Sequence, residues 1–283
     1  MSPRVTWHPH PDVWLLMIGL VLGYVFALTR LSTKHCPGNG QPATRGQKLW
    51  FFSGIAVMWI ASDAPIHDVS EDYLFWVHMI QHMLITMVAP AMILLGLPKW
   101  LLRWIFQKPA AFAALRFFTR PLIAFIIFNA MVAITHWPTI VNASVGNELV
   151  HFSVHTLLVL SALAMWWPVV DPLPELRRLS EPGKMLYLFG QSILPTVPAS
   201  FLTFAEEPIY SSYASFPRLW GMSAEVDQMV AGLIMKLGGG LLLWVIIAVI
   251  FFKWHAREES QQHSSVEWED FERSLTTWDL RRT

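Results

Sequence analysis

The chain is predicted to be an all-α integral membrane protein of seven transmembrane helices, with its N-terminus outside and its C-terminus cytoplasmic. Three observations predict this. The 283 residues are 54% hydrophobic and only 14% charged, with a mean hydropathy of +0.43, too apolar for an ordinary soluble domain. Seven runs approach the roughly 20 apolar residues that a span needs, at roughly 13–31, 48–64, 73–97, 120–137, 150–170, 185–205 and 228–252. Of the 20 Lys and Arg, all but Arg4, Arg218 and Lys236 then fall on one side of the resulting topology. The positive-inside rule makes that side cytoplasmic.

Each element has its own reason. The first run lacks a basic n-region and a small-residue cleavage site, so it reads as a retained span rather than a signal peptide. The second is short and ends at Asp63, with Pro65 to stop the helix. Segment 99–118 is apolar on one side and carries Lys99, Arg103, Lys108 and Arg116, the pattern of an amphipathic interfacial helix. A membrane domain over 1–252 is therefore expected, followed by a charged, Ser/Gln-rich cytoplasmic polar tail over 253–283. The 15 Trp suit interfacial belts. Zero net charge gives no support to nucleic-acid binding. Cys36, the one cysteine, excludes an internal disulfide framework and a multi-Cys zinc site.

Two spans each carry a His-x-x-x-His pair, His78/His82 and His151/His155. Residues four apart share one helix face, and imidazoles inside a span are costly enough to suggest a functional site. The alternative for each ring is a hydrogen bond to backbone or a neighbouring helix. Eight of the 11 His fall outside or in the outer half of a span on this topology, and the outer loops are acidic. Such a one-sided collection suits capture of a cation. A weak repeat adds to it: His67 precedes one pair and His136 the other, each unit forming an outer hairpin. Imidazoles without thiolates favour copper by the usual divalent order, with zinc as an alternative.

Further candidates surround the pairs. Glu148 shares a face with His151 and His155, as ligand, as acceptor orienting an imidazole N–H, or as a first-turn acid favoured by the helix dipole. Asp63 caps or ligates. Met79, Met83 and Met87 form a stripe, but about 100° around the helix from the histidine face, so they are assigned to packing or lipid contact. Lys236 lies about 12 Å inside the last span and needs a partner or a wet cavity. No Walker loop, dinucleotide turn, covalent-haem motif or zincin motif is present.

The stretch YLFWVHMIQHMLITMVAPAMILLGLP at 73–98 resembles the signature span of the seven-span CtaG-type bacterial cytochrome c oxidase assembly proteins. THWP with VHFSVHTLLVLSALAMWWPV, FLTFAEEPIYSSYA and DQMVAGLIMK look like the same family, over about 50–250. The resemblance implies a role in building a haem–copper oxidase in the bacterial plasma membrane. It carries His78, His82, His151 and His155 over as the family's histidines, with His136 from THWP and Asp227 from DQ. The resulting expectation is a non-enzymatic factor holding copper in an extracytoplasmic cluster. The candidate ligands are His78, His82, His151, His155, His136, His67, Glu148, Asp63 and Asp227. Delivery would be to an oxidase subunit or a soluble copper chaperone. Two alternatives stand beside it: a bis-His b-type cytochrome binding haem, and an intramembrane zinc hydrolase with Asp227 or Glu148 as base.

Overall fold

The computed structural model describes residues 7–36 and 41–279. Its elements are helical. The first helix, α1, runs Pro11–His35. Arg45–Ser62 forms α2, opened by a capping box in which Thr44 Oγ1 accepts from Gln47 N and the Gln47 side chain answers to Thr44 N. A short α3, Ile66–Asp72, follows. Phe75–Gly96 is α4. Next come α5 (Lys99–Ile105), α6 (Pro109–Phe118), α7 (Pro121–Thr135), α8 (Pro138–Val145) and α9 (Glu148–Val170). They are followed by α10 (Glu181–Ile193), α11 (Thr196–Phe204) and α12 (Ser211–Ser215). The last helix, α13, starts as Ala224–Leu233, passes through a π-helical turn at Ile234–Gly238 and continues as Gly239–Asp279.

Six helical stretches are long and apolar enough to cross a membrane, and a seventh exists if α6 and α7, bent by 72°, count as one span. The expected span over 120–137 is thus shorter than anticipated. Its 15 helical residues rise only about 22 Å against a hydrocarbon core of about 30 Å. The second helix ends where expected, α2 stopping at Ser62 with Asp63 in an extended conformation, and the short, largely polar α3 follows after Pro65. Segment 99–118 is two helices, interrupted before Pro109. The final helix carries on past Phe252, where the composition turns polar, to Asp279.

Helix α4 is the axis of the bundle. More than half of its apolar window is buried (56%), against 28% or less for the other spans. It packs on α2, α9 and the start of α13. Gly96 at its end lets it meet α2, because a Cβ there would come within 2.4 Å of Phe51 N. Pro90 removes one N–H from its ladder, which orphans the Thr86 carbonyl four residues back. The π-helical turn Leu84–Val88 sits at that break, and Trp166 Nε1 of α9 donates to the Thr86 oxygen at 3.0 Å. The sequence break in one helix thereby becomes a link to the helix bearing the second histidine pair.

Candidate metal centre

One end of the bundle gathers α3, the first turns of α4 and α9, the end of α7 and the 205–223 connection. The His78 and His82 rings stack one turn apart on α4, with centroids 4.2 Å apart. His151 and His155 do the same on α9 at 4.1 Å. The two pairs face each other. His82 Nε2 lies 3.2 Å from His155 Nε2, and the donor atoms of His78, His82 and His155 all fall within 4.8 Å of one another. A second group, His67, Glu71 and His151, meets the same limit.

Glu71 joins the groups. Its Oε1 accepts from His78 Nδ1 at 3.0 Å, and its Oε2 lies 3.2 Å from His151 Nδ1. A carboxylate at Nδ1 holds the proton there and turns the Nε2 lone pair outward, the usual way an imidazole ligand is oriented. His151 Nε2 is buried with no protein partner, as is His136 Nε2. Buried polar atoms are rarely left unpaired, so both nitrogens mark room for a water or an ion. Two nitrogens bound tetrahedrally at about 2.0–2.1 Å stand about 3.3 Å apart. The His82–His155 separation of 3.2 Å matches that spacing.

Support comes from around the ring set. The Gln81 side chain, 1% exposed, lies 3.0 Å from His67 Nδ1 and 2.9 Å from Ser70 Oγ. Tyr213 donates to the Ser70 carbonyl and Tyr210 to the His136 carbonyl. Burial pushes both phenols above their ordinary range, so they stay protonated donors. His136 turns Nδ1 to the Val132 carbonyl at 2.7 Å, and its ring centre is 6.0 Å from that of His82. His67 in turn stands 5.7 Å from His151. The leading histidine of each sequence unit thus approaches the pair of the other.

Three expected ligands stand apart from the two donor groups. Asp227 accepts from Phe75 N at 3.0 Å and Trp76 N at 2.8 Å, with Arg218 at 3.5 Å. It caps the helix that carries His78 and His82 instead of facing the rings. Asp63 accepts from the indoles of Trp14 and Trp59 at 2.7 and 2.9 Å and from Ala64 N. Glu148 is exposed in the first turn of α9, outside both donor groups. The carboxylate that does reach the rings is Glu71, one of the outer-loop acids and not among the ligands expected from the sequence. The sequence signal for it is His67-x-x-x-Glu71, the same four-residue spacing as the two His pairs. Asp68, 3% exposed, ties down the N-terminal segment through His8 N at 3.0 Å and His10 Nε2 at 2.8 Å.

Fold and site together define a polytopic helical membrane protein with a histidine–carboxylate cluster at one end of its bundle. The family model described as cytochrome c oxidase caa3 assembly factor matches residues 22–257. The chain belongs to that family. It is 23% identical over 264 residues to Uncharacterized protein Mb0105 of Mycobacterium bovis and equally to Uncharacterized protein MT0111 of Mycobacterium tuberculosis. Each match covers 82% of this chain but 37% of the relative, so the chain spans little more than a third of their length. No solved structure matches.

Proposed function

We propose that this protein is a copper-holding factor, which binds the ion in the His78/His82/His151/His155 cluster with His67 and Glu71 and passes it to the cytochrome c oxidase whose assembly the family serves. The single observation that carries the reading is the Glu71 bridge. One carboxylate orients rings from two separate helices, an arrangement that ordinary helix packing does not require. His136 stands beside the set, and Asp227 serves by fixing α4. Copper is cargo here, and the role is binding and transfer rather than catalysis. An acceptor ligand can replace one imidazole at a time because the donors outnumber what a copper ion needs.

The Lys/Arg bias puts the N-terminus and this cluster on the extracytoplasmic side of the bacterial plasma membrane, where an oxidase subunit or a soluble copper chaperone would meet it. Neither alternative reading is favoured. His82 and His155 are too close to flank a haem iron from opposite faces, which needs about 4 Å between the nitrogens at bonds of about 2.0 Å. The two carboxylates considered as a hydrolase base are committed to Phe75 and Trp76 or exposed on α9. Elemental analysis of the detergent-purified protein tests the proposal. Wild type should retain copper, and His78→Ala/His82→Ala should lose most of it while still inserting. Equal copper in the two would refute it.

A further inference from the structure

Deeper in the bundle, adjoining the histidine cluster, lies a small, partly open space. Four thioethers, Met79, Met83, Met87 and Met235, and two imidazoles, His82 and His136, line it. His82 also borders the smaller space that holds Glu71, His78, His151 and His155, so one ring is shared between the two. The methionine stripe does turn away from the histidine face of α4, as helical geometry requires. It turns inward: Met79 and Met87 are 3 and 8% exposed with Met83 half-buried between them, and Met235 of α13, on the same space, is 9% exposed.

The wall is built by two irregular helices. Met87 sits in the π-helical turn Leu84–Val88 and Met235 in Ile234–Gly238, and π turns inside α-helices recur at functional sites. Gly239 of α13 borders the same space, where a Cβ would meet Met83 Sδ at an ordinary contact distance of 3.5 Å. The unpaired His136 Nε2 is the one orphaned polar atom among these six side chains. Methionine in a core often only fills gaps. Four thioethers beside a buried nitrogen that lacks a partner go further than gap filling.

We propose that this chamber is a second metal site, taking a soft monovalent ion of the Cu(I) class on methionine sulfur together with His82 or His136 nitrogen. Thioethers select Cu(I) over the divalent ions that imidazole and carboxylate accept. Among the described residues no carboxylate lines the space, and a neutral wall suits a single charge better than a double one. The identity of the ion as copper rests on the function proposed above; the soft-ion site itself does not.

The test uses the full chain, purified in detergent under anaerobic conditions, with Ag(I) and Cu(I) as probes. In selenomethionine-labelled protein, selenium X-ray absorption should gain a metal neighbour when Ag(I) or Cu(I) is added. Met79→Leu/Met87→Leu/Met235→Leu should lose the sulfur-bound ion, whereas His78→Ala/His155→Ala should keep it. A selenium spectrum unchanged at saturating metal would overturn the proposal, as would undiminished Ag(I) stoichiometry in the Leu variant. The selenium measurement needs no substitution, so misfolding of that variant cannot hide the answer. Failure of the histidine cluster would show separately, as copper undiminished in His78→Ala/His155→Ala, because His82, which borders both spaces, is left in place.

Discussion

Glu71 is the residue on which the site turns, because it faces His78 and His151 at once from a helix that carries neither. Glu71→Gln keeps the volume but replaces one acceptor oxygen with an N–H donor, so one imidazole loses its orienting partner. Losses of this kind typically weaken metal binding about 10–100-fold. We expect that drop in a copper titration of the purified variant, with helical content by circular dichroism unchanged. Retained affinity would mean that the carboxylate only fastens α3 to its neighbours. Ligation also needs unprotonated imidazole. Protons therefore compete with the metal for the ring nitrogens, and copper retained after dialysis should decline as the pH is lowered, not as it is raised.

At the scale of elements, α4 is held at both ends of its working stretch. Asp227, 1% exposed, takes the first two N–H groups of the helix, which would otherwise be orphans. Asp227→Ala removes both acceptors and should cost about 1–2 kcal/mol, the usual range for a lost helix cap. Asp227→Asn keeps one acceptor and should cost less. Thermal unfolding in mild detergent, followed by circular dichroism, ranks the two, and equal midpoints for Ala and wild type would remove the capping role. A few residues on, the Thr86 carbonyl freed by Pro90 is taken up by Trp166. Trp166→Phe should leave that buried oxygen unpaired, at about 1–3 kcal/mol, and lower the same midpoint.

At the scale of the whole molecule, topology decides which compartment the cluster serves. With the N-terminus outside, Cys36 after α1 lies on the cytoplasmic side and position 148 on the other. A membrane-impermeant thiol reagent should then leave Cys36 unlabelled in intact cells and label it once the membrane is permeabilised. The substitution Glu148→Cys in a Cys36→Ser background should be labelled without permeabilisation. The reverse pattern would invert the orientation and, with it, the side from which metal is taken up.

Local pattern alone was enough for the helical class, for six of the seven spans and for the pairing of His78 with His82 and of His151 with His155, because hydropathy and a four-residue repeat act within one helix. Nearest-neighbour spacing along the chain says nothing about which helices touch. Whether the two pairs meet, that Glu71 stands between them, and that Asp227 and Asp63 spend their oxygens on backbone and indole N–H groups were settled by packing. The methionine stripe shows the same division: its angle on α4 follows from 3.6 residues per turn, but whether that angle faces lipid or an internal chamber depends on where α13 and the end of α7 come to rest.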